Sequence, residues 1–296
     1  MPARITRRQF TAAALAATTG LAERSPMIID SHVHVWKHDA RYPWAPGAKI
    51  PDRDATPETL LRLMAEAGVD RTVIIQVIYY TWDNSYLADV LKRYPKQFRG
   101  VARVNPEDPA APDHLSRLTE QGFRGVRLSP AANTSGDWIR GPLMPPLWKR
   151  CSDLKVPMTI LAPVTRMPDI ARLADRFPEL TIVIDHMADC PLNQPDQLQK
   201  LLDLHRYPKL YVKISHSWSL SSQPYPYLDS QQQIKRLYDV FGPQRLMAGS
   251  DWPLVEQYCT YKQAIDIARK KIAFLNAEDR RWICGQTAQQ VWPFES

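Results

Sequence analysis

From Met27 onward the chain alternates between two hydrophobic patterns. Short runs rich in β-branched residues, such as RTVIIQVI (71–78), LTIVIDH (180–186) and KLYVKIS (209–215), are each followed by a longer amphipathic stretch. Runs of the first kind predict strands, and stretches of the second predict helices. The expected strands are 27–35, 71–78, 99–104, 123–129, 156–161, 180–186, 209–215 and 245–250. The expected helices are 57–67, 84–94, 109–121, 144–153, 166–177, 195–205, 230–241 and 260–276. Strands separated by helices pair in parallel through right-handed crossovers, and eight such units close into a barrel more naturally than they form an open sheet. No GxGxxG follows the first run, so a dinucleotide fold loses its main support. The pattern predicts an α/β chain with a single (β/α)8 barrel over 27–296.

Composition sharpens this picture only at the ends. With 296 residues, 44% hydrophobic and 23% charged, the chain has an ordinary globular balance. No run approaches the length of about 18 apolar residues that a membrane-spanning helix needs, so stable membrane insertion is not expected. The net charge is +7, but Arg4, Arg7, Arg8 and Arg24 against Glu23 place +3 of it in residues 1–26. The remaining +4 is spread without a Lys/Arg-dense run, and no nucleic-acid partner is expected. In the first 26 residues, Arg7-Arg8 precede a mildly apolar run from Thr11 to Ala22 that ends in Gly20-Leu21-Ala22. That order fits a twin-arginine export signal and a periplasmic address; a disordered basic tail on a cytoplasmic protein is the alternative. Cys151, Cys190, Cys259 and Cys284 are too scattered for a metal cluster or a disulfide framework and read as small buried hydrophobes.

The candidate chemistry begins in the first strand. Strict alternation along IIDSHVHVW (28–36) puts Asp30, His32 and His34 on one face and Ile29, Val33 and Val35 on the other. Two buried imidazoles without partners would cost roughly a few kcal/mol each, a cost that a shared metal ion or a bound substrate removes for both. In such a barrel, catalytic groups gather at the C-terminal ends of the strands. His32 and His34 end the first strand, Arg127 is near the end of the fourth, His186 closes the sixth, His216 follows the seventh and Asp251 follows the eighth. Taken singly, each has a plainer reading. His186 could be a satisfied core histidine, Asp251 a loop cap, Arg127 the partner of a structural carboxylate, and His216 structural or substrate-facing.

The ordered set goes further. SHVHVW on the first strand, IDH on the sixth and GSDWP on the eighth, with GFRGVRLS and the closing ICGQTAQQVW, resemble the amidohydrolase superfamily. More narrowly they resemble its amidohydrolase-2 group of TIM-barrel hydrolases, over essentially all of 27–296. The resemblance implies one divalent metal, Zn²⁺ by its ligands, held by His32, His34 and Asp251. Thr-Ile-Leu-Ala stands where the superfamily's fifth-strand histidine would be, and Arg127 occupies the region of a bridging lysine or glutamate. A binuclear centre is therefore not expected, and activity without metal is compatible with the pattern. Asp251 is the expected general base and His186 the expected stabiliser of an oxyanion. Arg127, whose fork suits a carboxylate, is expected to bind substrate with His216 and Tyr79, while Arg103, Tyr80 and Trp82 line the pocket. The expected reaction is the opening of a small carboxylated or sugar-derived lactone by activated water. Decarboxylation, amide or ester hydrolysis, and a non-catalytic binding barrel are the alternatives. The expected partner is a small-molecule substrate, and a homo-oligomer is compatible with the sequence. Residues 129–145 and 215–229 are expected to form a lid and a pocket wall.

Overall fold

Eight strands form one parallel sheet in sequence order: β1 (Ile29–Val33), β2 (Arg71–Ile75), β3 (Phe98–Arg103), β4 (Val126–Leu128), β5 (Met158–Ile160), β6 (Ile182–Ile184), β7 (Leu210–Lys213) and β8 (Leu246–Met247). This computed structural model describes residues 26–129 and 139–295. The export-signal reading and the centre of the expected lid, 130–138, lie outside the described residues. Ser31 N–H donates to the Ala248 carbonyl, Asp251 N–H to His32 and His34 N–H to Trp252, which joins the end of β8 to β1 and closes the barrel. Inside, Ile29, Val73, Val101, Val183, Tyr211 and Met247 pack into an apolar floor capped from below by Trp292. The polar residues lie above this floor, toward the C-terminal ends of the strands.

The helices follow local signals. α1 (Pro57–Ala67) has Pro57 in its first turn, Thr56 accepting from the Thr59 N–H, and Gly68 in the left-handed region past its end. α2 (Ser85–Arg93), α3 (Ala111–Glu120), α4 (Met144–Leu154), α5 (Met167–Arg176) and α8 (Ser230–Phe241) also match their expected positions. The 195–205 segment contains only the short α6 (Gln199–Leu202) between 3₁₀ turns, and α7 (Ser217–Leu220) follows β7. The expected 260–276 helix stops early. α9 (Tyr261–Asp266) loosens into a π turn over Ile267–Lys271. The chain then restarts from a capping box between Asn276 and Asp279 into α10 (Ala277–Arg281) and α11 (Thr287–Val291). No helix among the described residues is long and apolar enough to cross a membrane, and all four cysteines are buried and free.

β1 breaks strict alternation. Its ladder to β2 runs from Asp30 opposite Thr72 to Val33 opposite Ile74, so three steps on β1 match two on β2. This bulge resets the side-chain phase. Ile29 joins the barrel floor, and Asp30 turns toward Ser250 and the ring of Tyr261 on α9. Beyond the bulge, Val33 and Val35 pack outward against the helices, while His32 and His34 converge on Asp251. The expected common face of Asp30, His32 and His34 is therefore corrected: the histidines share the interior, and Asp30 stands behind them.

Candidate active site

The histidines meet Asp251 because two backbones run unusually close. A Cβ on Gly249 would lie 2.8 Å from the His32 Cβ, so glycine there lets the end of β8 lie against β1. His32 Nε2 and His34 Nε2 are 3.3 Å apart, and Asp251 Oδ1 is 3.6 Å from the first and 3.4 Å from the second. All three side chains are buried, and Asp251 Oδ1 has no hydrogen-bond partner among the described residues. His34 Nδ1 is 2.8 Å from the Ile75 carbonyl. A carbonyl only accepts, so Nδ1 carries the proton, and in the neutral ring Nε2 turns a lone pair toward Asp251. A lone pair facing a carboxylate invites a cation between them. Four ligands about 2.0–2.1 Å from a tetrahedral zinc stand roughly 3.3–3.4 Å from each other, close to the edges of this triangle. The residues present fit a divalent ion. His186 is also within reach, since His32, His186 and Asp251 each offer a ligand atom within 4.8 Å of the others.

The family model described as amidohydrolase matches residues 29–294. The chain belongs to the amidohydrolase family. An L-fucono-1,5-lactonase of Burkholderia ambifaria is 30% identical over 233 residues, covering 76% of this chain and 80% of that protein. A 4-sulfomuconolactone hydrolase of Hydrogenophaga intermedia is 27% identical, covering 76% and 74%. A solved structure from Pseudomonas putida, provisionally assigned as a 2-pyrone-4,6-dicarboxylic acid hydrolase, superposes with a TM-score of 0.80 at 26% identity, covering 92% of this chain and 99% of that one.

In this amidohydrolase barrel the other expected site residues converge on the same mouth. His216 Nε2 is 3.7 Å from Asp251 Oδ2, while its Nδ1 is 3.1 Å from Asp189. The His186 ring lies between His32 and His216, with centroids 4.5 and 4.4 Å away. Its Nδ1 is 2.9 Å from Ser215 Oγ, and with that hydroxyl donating the ring proton sits on Nε2. Tyr79, half-buried against Trp36 and Trp44, has its hydroxyl pushed up by burial and by the nearby Asp251 charge. Arg127 does not stand free for substrate, because its Nε donates to Asp185 Oδ2 at 3.1 Å. The structural-carboxylate reading of that arginine is thus realised on one edge of its fork.

Two charged residues that were not singled out in the sequence organise the layer beneath. Lys213 on β7 is fully buried, with Nζ 3.1 Å from both Asp185 Oδ1 and His32 Nδ1, and Asp185 Oδ1 is 3.3 Å from that same nitrogen. His32 Nδ1 accepts from Lys213 when that ammonium keeps its proton, and can donate to Asp185 only when the lysine sheds it, so the pair Lys213–Asp185 sets whether His32 Nε2 faces Asp251 with a lone pair. Burial would raise the Asp185 carboxyl, but Lys213, His32 and Arg127 hold it well below the usual range. Burial and then Lys213 push His32 down to about 3, and burial with His32 and His216 pushes His186 well down, so both rings are neutral at pH 7. Burial would likewise raise Asp251, yet His34 and the neighbouring imidazoles outweigh it and keep the carboxylate ionised.

The backbone is strained at the same place. His186, Met187, Ala188 and Asp189 have φ of 52°, 53°, 56° and 45°, His216 has 72° and Asp251 has 61°. Left-handed backbone costs a non-glycine residue about 1 kcal/mol or more. Six such residues, three of them facing the site, lie at the ends of β6, β7 and β8. Each turns its chain sharply at a strand end, which brings three side chains from separate strands to one point.

Proposed function

We propose that the protein is a lactonase that opens a small carboxylated or sugar-derived lactone with an activated water. The carrying observation is the buried triangle of His32, His34 and Asp251, with His186 beside it, at the C-terminal mouth of an amidohydrolase barrel. His32, His34 and Asp251 would hold one divalent ion, and two nitrogens with one carboxylate suit zinc. The chemistry such an ion supplies when bound is acidification of water and polarisation of a carbonyl. Asp251, held ionised, is too weak a base to deprotonate ordinary water unaided, and it is placed to take the proton of an acidified one. With Ser215 donating to its Nδ1, His186 has an Nε2–H to give to the oxygen that becomes an oxyanion when water adds to the lactone carbonyl. Collapse of that adduct breaks the ring C–O bond, and the departing alkoxide takes back the proton held by Asp251. Tyr79, His216 and Arg127 border the substrate. The relatives' names favour ring opening over decarboxylation, since each refers to the hydrolysis of a lactone or pyrone.

The test is elemental analysis of protein purified without added metal, with L-fucono-1,5-lactone and 2-pyrone-4,6-dicarboxylate opening followed before and after chelation. About one zinc per chain, with activity lost on chelation and restored by zinc, is the expected result. Hydrolysis by metal-free protein would keep the lactonase reading and move His32 and His34 to water and substrate. Release of carbon dioxide without ring opening would overturn it.

A further inference from the structure

Arg103, the last residue of β3, is fully buried, yet among the described residues no carboxylate meets it. Val101, two residues earlier, is part of the barrel floor, so the side chain of Arg103 rises on the interior side above it. One Nη donates to Ser129 Oγ, while Nε and the other Nη have no hydrogen-bond partner among the described residues. The Trp82 ring lies 5.1 Å from Cζ. Arg127 is its register partner on β4, and burial followed by that second cation takes the Arg103 guanidinium down to about 9.

Energetics make this arrangement costly unless something completes it. A desolvated ion without a counter-charge costs several kcal/mol, against which an aromatic face returns about 2 kcal/mol and one hydroxyl acceptor about 1.5–3 kcal/mol. Arg127 and Lys213 are answered by Asp185, and the Asp30 charge also acts on Lys213, whereas no carboxylate among the described residues meets Arg103. The unfilled donors of Arg103 mark where an anion can be seated.

We propose that Arg103, with Arg127 alongside, seats a carboxylate carried by the lactone, so that the protein prefers carboxylated lactones over neutral ones. The proposal rests on the lactonase reading and supplies its substrate class. A guanidinium edge offers two parallel N–H donors that match the two oxygens of a carboxylate. Trp82 lies against the guanidinium and Ser129 takes one Nη, which leaves Nε and the other Nη for a carboxylate.

The test uses isophthalate, a dicarboxylate that cannot react, titrated calorimetrically into the wild-type protein, Arg103→Met and Arg103→Lys. Loss of a charged hydrogen-bonding pair should weaken isophthalate about 30-fold or more in R103M and about 10-fold in R103K. The ratio of kcat/KM for 2-pyrone-4,6-dicarboxylate over L-fucono-1,5-lactone should fall by a similar factor in R103M. R103K keeps a cation on Trp82 and decides the matter if R103M does not fold. Unchanged isophthalate affinity in either variant would overturn the proposal, as would wild-type protein that binds neutral 1,3-benzenedimethanol as tightly. Tighter binding of benzene-1,3-disulfonate than of isophthalate would replace the carboxylate with a sulfonate and overturn it as stated. If the wild-type protein opened neither lactone, the lactonase reading would fail, and the isophthalate titration would still judge Arg103 separately.

Discussion

Asp185 is the counter-charge on which the interior depends, and replacing it by asparagine is the sharpest test of that role. The substitution keeps size and shape. It leaves Arg127 Nε and Lys213 Nζ, each now 3.1 Å from an oxygen of Asp185, facing an uncharged amide in a buried layer. Removing one partner of a buried pair costs about 3–5 kcal/mol. Here two cations lose one shared partner, but the effects do not simply double. Burial already pulls the Lys213 ammonium below its usual range, and it can shed its proton when Asp185 is gone. The expected loss is therefore near the top of that interval, about 5 kcal/mol, rather than its double. For a chain of this size each kcal/mol lowers Tm by about 2–4 °C, so calorimetry should find a drop of roughly 10–20 °C. Urea unfolding should move its midpoint without changing its slope. Lys213→Met in the Asp185→Asn background should cost less than in the wild-type background, because it removes a cation that has become surplus. A double-mutant cycle should return a coupling of about 2 kcal/mol or more. An Asp185→Asn protein within 1 kcal/mol of wild type, or two strictly additive substitutions, would refute the counter-charge argument.

His186→Asn should lower kcat about 100-fold with KM and metal content held, the signature of a lost oxyanion donor. Asp251→Asn should lose both metal and activity, and a His186→Asn protein that binds no metal would make His186 a ligand instead. Stability in acid should follow His32, whose ring is pushed down to about 3 in the folded chain while an unfolded histidine titrates near 6.5. Between those values the unfolded state holds more protons, so stability is lost as pH falls. Going from pH 7 to 4.5 should take about 2.5 kcal/mol from the metal-free protein through this residue alone. His32→Asn should flatten the curve by that amount, and curves that stay parallel would count against the burial of a neutral ring.

Period and order in the sequence reached most of the fold because the floor and outer layers obey them. Continuous apolar runs such as TIVI sit between two packed layers, so each marks its strand without ambiguity. What escaped was local exception. The bulge after Asp30 has no pattern of its own in IIDSHV, and a period-2 reading carried past it assigns Asp30 to the wrong side. The last expected helix ran too long because the π turn at Ile267–Lys271 interrupts a stretch whose composition is still helical. Asn276 with Asp279 was a readable restart signal.

The site divides along the same line. Histidines and aspartates at strand ends were conspicuous as residue types, whereas Lys213 and Asp185 lie within or directly after apolar runs, where a charge is easily assigned to the strand's outer face. Their phase was informative all the same. Lys213 follows the floor residue Tyr211 by two, Asp185 follows Val183 by two, and Arg103 follows Val101 by two. A charged residue in phase with a barrel-floor residue has no route to solvent and must find its partner inside. By that rule Lys213 and Arg127 are answered by Asp185. Arg103, in the same phase and the same layer, is answered by no carboxylate among the described residues and keeps Nε and one Nη unfilled, which is why the question it poses falls to the substrate.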